Sequence, residues 1–243
     1  MIYISKKGPS NKIMKAITEI RSDPNWKNAS DTQSIRSFFD KLPKEEIRKS
    51  LLIEQHYLCA YCMKQIKNDS LHTTIEHFYS LSNDKNKALD YKNLLLVCDG
   101  GRNKTNGICC CDVTKKEKKL TINPLKEYMM DKINYKKDGT IYYEDINNKK
   151  EEEKIQFDID TILNLNGEIK NDKRIDTFTE ILKGRRDAYK QYETIIKKLE
   201  KKEELNSNKI ENEIKNIKSK EKYCEFIGVI VFFLERKKKL LMK

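Results

Sequence analysis

Residues 59–115 read CAYCMKQIKNDSLHTTIEHFYSLSNDKNKALDYKNLLLVCDGGRNKTNGICCCDVTK, and the fold of the chain turns on them. The stretch holds six of the seven cysteines and two of the three histidines. Cys59 and Cys62 stand at the Cys-x-x-Cys spacing of a knuckle, which offers two thiolates to one tetrahedral metal. A second pair must come from Cys98 and one of Cys109, Cys110 or Cys111. Four thiolates would close a structural zinc site, and three adjacent cysteines leave its register open. His56, next to the knuckle, is the alternative ligand. Between the two halves lies Glu76-His77, an acid beside an imidazole, for which a purely structural zinc site has no use. Two kinds of site are therefore expected to interleave here.

The surrounding composition narrows the setting. A chain of 243 residues can bury a sizeable core in one domain or two. Lys+Arg 50 against Asp+Glu 38 leaves +12, which suits a polyanionic partner, although much of the lysine is spread along Glu-Lys-rich helices and equally describes a basic, soluble surface. Cysteines bunched at metal spacing, with no secretory apolar region in MIYISKKGPSNK, indicate a reducing compartment, the cytoplasm. The most apolar run, Phe226 to Leu234, is nine residues. A membrane helix needs ~20, so this run reads as a buried helix.

Outward from the central stretch, the chain reads as α+β and mostly helical. Met1 to Lys7 is a short strand or an extended arm. Ser10 can cap a helix carrying Ile13, Met14, Ile17 and Ile20, which Asp23-Pro24-Asn25 ends. Trp26 is assigned to the core. Leu42-Pro43 precedes a helix with Ile47, Leu51, Leu52 and Glu54. Residues 1–50 thus form an N-terminal helical arm and 51–126 the core unit. Residues 127–243 form a β-hairpin, turning at Asp138-Gly139, followed by a helical region. The charged run Asn147 to Lys154 reads as a solvated loop, and Asp158 as the start of a helix with Ile162, Leu163 and Leu165. Phe178, Ile181, Leu182, Arg185, Ala188, Tyr189, Tyr192, Ile195, Ile196 and Leu199 keep helical spacing. After a break at Asn206-Ser207-Asn208, Ile210, Ile214 and Ile217 resume the stripe, so a long helical pair is expected. Cys224 is placed in the core of its last helix.

The order Cys-x-x-Cys, Glu76-His77, Asn93-Leu-Leu-Leu-Val-Cys98, Cys111-Asp112-x-x-Lys115 resembles the zinc-containing HNH endonucleases. The phrases CAYC, IEHFYS, YKNLLLVCDG, CCDVTKKEKKLTINPL, KKDGTIYY and DTILNLNGEI are similar to the PtuB-like HNH subunit of Septu-type anti-phage systems, a group also found beside some retrons. This likeness runs from about Leu51 to about Leu182. Two departures stand out: twelve residues separate Cys98 from Cys111 where the family has two, and Asp112 replaces an Asn or His.

The resemblance implies a ββα-metal core with a zinc knuckle, in which Cys59, Cys62, Cys98 and Cys111 hold the structural zinc. Thr73 to His77 is its first strand, Asn93 to Val97 enters the second knuckle, and Asp112 to Lys118 begins the helix. His77 would be the general base, and Glu76 and Asp112 the ligands of one Mg²⁺ or Mn²⁺, oxygen donors that suit a hard cation. Asn93 would hold the His77 loop or orient the imidazole. Lys115 would touch phosphate or lie on the helix surface. Arg102 and Lys104, in the loop DGGRNKTNGICC, would grip phosphate, while His72 is a bystander. The implied activity is phosphodiester hydrolysis of nucleic acid, DNA favoured, with a PtuA-like ABC/SMC-type ATPase as partner. A retron reverse transcriptase and its msDNA are further partners, and no membrane is involved. An HNH ribonuclease acting on tRNA and a non-catalytic zinc-stabilised adaptor are the alternatives.

Overall fold

The computed structural model describes residues 1–82, 84–102, 109–167, 169–170, 173–174 and 179–242. Residues 1–10 are extended without joining a sheet. Met1 and Ile4 are buried, and the Ile4 amide donates to Pro124 O at 2.9 Å. Lys6 is buried against Glu54 at 2.8 Å and donates to Leu94 O, so the arm is tied to the central unit by a desolvated ion pair. α1 (Asn11–Ser22) is capped by the Ser10 hydroxyl, and its buried residues Ile13, Ile17 and Ile20 recur at helical spacing. Asp23 ends α1 and caps α2 (Pro24–Asn28), whose Trp26 packs edge-on against Phe38 in the core. α3 (Thr32–Asp40), capped by Asp31, is not anticipated by the sequence pattern. It buries Ile35, Phe38 and Phe39.

α4 (Lys44–Glu54) follows Pro43 and buries Ile47, Leu51 and Leu52. At its end, the buried Gln55 side chain exchanges two hydrogen bonds with Leu96, 2.7 Å each, and caps Leu58 O. That amide locks the helix to the sheet. Leu51 is fully buried, so Leu51→Ala is expected to cost about 2–5 kcal/mol, measured as a lower urea midpoint.

β1 (Thr73–His77) and β2 (Leu94–Cys98) pair antiparallel, with His77 opposite Leu94 and Thr73 opposite Cys98. α5 (Lys85–Ala88) and a single 3₁₀ turn (Tyr91–Asn93) connect them. Every residue of β2 is buried, as its uninterrupted apolar run demands of a strand covered on both faces. α6 (Asp112–Lys115) is a single turn. The expected helix to Lys118 stops because Lys116 turns to φ 50. α7 (Glu127–Met130) leads into the hairpin β3 (Ile133–Tyr135) and β4 (Ile141–Tyr143).

Four expectations for the rest of the chain are corrected. The charged run is not a loop: α8 (Lys149–Phe157) forms there, capped by Asn148, with Glu151 and Glu152 at its positive end and Ile155 buried. Asp158 does not start a helix but continues α8 as a π turn (Asp158–Ile162). Its carboxylate accepts the Thr121 and Ile122 amides at 2.5 and 2.9 Å. After the short strands β5 (Ile169–Lys170) and β6 (Lys173–Arg174), the helical pair proves to be three helices: α9 (Thr179–Lys201), α10 (Ser207–Lys218) and α11 (Ile227–Leu241). α11 packs on both α9 and α10. Cys224 is exposed in the turn before α11 rather than buried in a helix, and Phe178 lies outside the described residues. One hydrophobic cluster runs from Ile13 of α1 to Leu234 of α11.

Candidate metal centre and the carboxylate pair beside it

The knuckle is built by backbone. Met63 N donates to Cys59 O and Cys59 N to Lys64 O, while Ala60 N reaches across to Leu96 O of β2. Met63 takes the left-handed φ of 66 that closes the turn. The Lys64 amide points at Cys62 Sγ, 3.4 Å away. β2 ends on Cys98, and Cys111, at φ 57, is held by its own amide on Leu163 O. Among the described residues, Cys59, Cys62, Cys98 and Cys111 form a group of four buried thiols whose sulfurs all lie within 4.8 Å of one another.

Cys59–Cys111, Cys62–Cys98 and Cys98–Cys111 are each 3.8 Å apart. Zinc–sulfur bonds of about 2.3 Å place tetrahedral corners about 3.8 Å apart, so the donor set fits zinc in kind and in size. Hydrogen bonds from Cys110, Cys111 and the others hold Cys98 well below the usual thiol range. The contact with Cys110, the other thiols and burial together push Cys111 well above it. The register is therefore Cys111, not Cys109, which is half-buried outside the group. Nor is it His56, whose Nδ1 lies 2.9 Å from Glu221 O while its ring stacks on Tyr223.

Cys111 being fixed, Asp112 opens α6 beside β1. Successive strand side chains leave opposite faces. Glu76 turns toward α6, where Lys115 Nζ meets its Oε1 at 2.6 Å and also donates to His77 O. Lys115 is thus wholly buried on a carboxylate, rather than on the helix surface or against phosphate. Arg102 Nη2 lies 3.3 Å from Asp112 Oδ2, so this cation too is engaged inward; Lys104 lies outside the described residues. Burial and then the nearby Glu76 push Asp112 up to about 7, against the pull of Arg102, and burial raises Glu76 as well. Asp112 Oδ1 and the Tyr61 hydroxyl, both buried, find no hydrogen-bond partner among the described residues. Carboxylate oxygens are the donor type that suits a hard divalent cation, and each of these two carboxylates already carries a protein cation.

His77 faces the other way. Its ring packs edge-on against Phe39 of α3 at 4.3 Å, and its Nε2 lies 3.1 Å from Ala88 O. A carbonyl only accepts, so Nε2 carries the proton. Burial holds the imidazole down at about 4, with Lys44, Arg36 and Lys115 adding repulsion, so it is neutral near pH 7 with a bare Nδ1. Asn93 does not touch the ring: it donates to Tyr79 O and Lys87 O and accepts the Tyr79 amide, holding the loop that presents Ala88 O. His72 is exposed and pairs with Asp69. The unfolded pKa of His77 exceeds the folded one, so the unfolded chain binds the extra proton. Its contribution to stability is complete above about 6.5 and falls as pH drops toward 4, by on the order of 3 kcal/mol. Urea midpoints at pH 5 and 7 should therefore differ less in His77→Gln than in wild type.

Comparison with known proteins adds nothing to this geometry: no protein family matches the chain, and no curated protein does. Among the described residues, no helix is long and apolar enough to cross a membrane. Sequence reasoning passed over Phe39 and Tyr61, and gave Arg185 a place on a helical stripe but no role. Only the last left a signal, a cation standing on an apolar helical stripe.

Proposed function

We propose that this chain is a metal-dependent HNH endonuclease built on a structural zinc, which hydrolyses phosphodiester bonds of nucleic acid, DNA in preference to RNA. The observation that carries the reading is the state of His77: burial keeps the ring neutral and Ala88 O holds the Nε2 proton, which leaves Nδ1 as the unprotonated nitrogen, on the strand that carries Glu76. The order of two antiparallel strands and a short helix opening on Asp112 supports the ββα-metal core that the resemblance implies. Glu76 and Asp112 would hold Mg²⁺ or Mn²⁺, which supplies charge for the phosphate and the leaving oxygen. Lys115 holds Glu76 in place and pulls against the burial that raises it, and Asn93 fixes the loop behind His77. The anti-phage role, the ATPase partner and the retron-associated reverse transcriptase with its msDNA rest on the resemblance alone.

One observation favours a resting state or a non-catalytic adaptor: both carboxylates already carry a protein cation, and α3 covers His77. Incubating the chain with plasmid DNA and with total tRNA in Mn²⁺, alone and with any co-purifying ATPase, separates the readings. Plasmid nicking is the expected result. Loss of tRNA alone keeps the site and changes the substrate. Inertness toward both under every condition favours the adaptor.

A further inference from the structure

The two protein cations on Glu76 and Asp112 are held in different ways. Lys115 is fully buried, and its Nζ meets Glu76 Oε1 at 2.6 Å, His77 O at 3.2 Å and Lys116 O at 3.4 Å. Taking it away would leave a buried carboxylate uncompensated, which is strongly destabilising. Among the described residues, Arg102 meets Asp112 through a single contact, Nη2 to Oδ2 at 3.3 Å. Its side chain is 57% exposed, against 8% for that of Asp112 and 0% for that of Lys115. Ion pairs with one partner in solvent contribute little, because water replaces the contact when the cation leaves. Of the two cations, Arg102 is the one that can be exchanged.

The backbone that presents Arg102 is built. Asp99 fixes the turn after β2: its Oδ1 accepts the Gly101 amide at 3.3 Å, and its carbonyl accepts the Arg102 amide at 3.0 Å. Gly100, at φ 59, lies against the start of α6, where a Cβ would fall 2.5 Å from Cys110 O and 2.7 Å from Val113 Cγ2. Its carbonyl accepts the Cys110 amide at 2.9 Å. Arg102 thus stands at a fixed place beside the first turn of α6, with an exposed side chain that can swing away while its backbone stays. The guanidinium takes only Oδ2 of Asp112; Oδ1 is buried without a hydrogen-bond partner among the described residues. An exposed cation therefore covers a buried carboxylate that still has a bare oxygen to offer.

We propose that Arg102 is a displaceable plug of the divalent-cation position at Asp112: the chain rests with the guanidinium on the carboxylate, and an entering cation turns the arginine out. Lys115 stays, as the permanent partner of Glu76. The inference rests on the oxygen-donor reading of Glu76 and Asp112, and it places the element that holds the site at rest in the loop between Cys98 and Cys111. The charge count favours the exchange. A divalent cation brings two charges to Asp112 where the guanidinium brings one, and carboxylate oxygen is the donor such a cation prefers. The guanidinium that it releases already faces water. Metal binding therefore competes with the plug and not with the fold.

The test uses the full chain with zinc bound and Mn²⁺ as the probe, its binding followed by calorimetry. Arg102→Gln is expected to bind Mn²⁺ ~5-fold more tightly than wild type, the scale of one exposed ion pair that no longer has to be broken. Lys118→Gln removes an equal charge from an exposed position just beyond α6 and should change the affinity less than ~2-fold, as solvent screening dictates. In wild type, saturating Mn²⁺ should also speed the modification of Arg102 by phenylglyoxal, read by peptide mapping, because the released guanidinium is free to react. Equal affinities of wild type and Arg102→Gln overturn the proposal. So does a gain matched by Lys118→Gln, which marks general repulsion, and so does an Arg102 reactivity that Mn²⁺ leaves unchanged. Mn²⁺ that binds neither wild type nor Arg102→Gln, with zinc in place, removes the oxygen-donor site itself and not only its plug.

Discussion

Cys111→Ser is expected to release zinc and unfold the central unit, whereas Cys109→Ser keeps both. Cys111 contributes one of four sulfurs to a group in which β2, the knuckle and the start of α6 come together. Structural zinc contributes about 10 kcal/mol or more at neutral pH, comparable to the whole stability of an ordinary domain, about 5–15 kcal/mol. Loss of one ligand should therefore be enough to lose the fold. Moreover, the backbone turn that presents Cys111 also opens α6 on Asp112, so the carboxylate pair goes with the metal. Cys110→Ser is the informative intermediate. Its thiol is buried beside the group without belonging to it, and zinc should stay bound with a modest fall in melting temperature. Metal analysis and thermal denaturation of the three variants check the ordering. Zinc retained by Cys111→Ser and lost by Cys109→Ser would move the register and take Asp112 out of the site.

His77→Ala is expected to abolish cleavage while leaving zinc content intact. Removing a positioned general base costs about 10²–10⁴ in rate, or about 3–5 kcal/mol of transition-state stabilisation. The ring is also a packing partner of Phe39, so His77→Gln, closer in size, is the control for lost volume. Both variants should bind substrate with little change and differ from wild type in turnover. Because the imidazole stays neutral down to about 4, turnover of the wild type should not fall between pH 8 and 6 on account of this residue. A single-turnover pH profile reads that directly, and a His77→Ala rate within a few-fold of wild type would remove the imidazole from the chemistry.

What the sequence discloses here is what depends on spacing. The Cys-x-x-Cys knuckle, the apolar run of β2, the β-branched lead into Glu76-His77 and the Asp-Gly turn each encode a local geometry, and each is found where expected. What it hides depends on side-chain direction and on tertiary partners. Lys115 sits at a fixed offset from Cys111, but no offset says whether its ammonium points to solvent or to Glu76. α8 looks like a solvated run because its stability comes from the Asn148 cap, Glu and Lys propensity and the single anchor Ile155, not from an apolar stripe. α11 breaks away from α10 at Phe226, a left-handed residue with no glycine to announce it. The covering of His77 by α3 joins two segments far apart in the chain, which no local pattern encodes.

Titration of Mn²⁺ into the zinc-loaded chain separates the two interleaved sites most directly. Wild type is predicted to bind one Mn²⁺ beyond its zinc, with affinity rising from pH 6 to 8 as Asp112, pushed up to about 7, ionises. Asp112→Asn and Glu76→Gln should each lose the Mn²⁺ and keep the zinc. Mn²⁺ that binds equally well to both variants, or a wild type that binds none with its thiolate centre filled, would contradict a second, oxygen-donor site beside the thiolates.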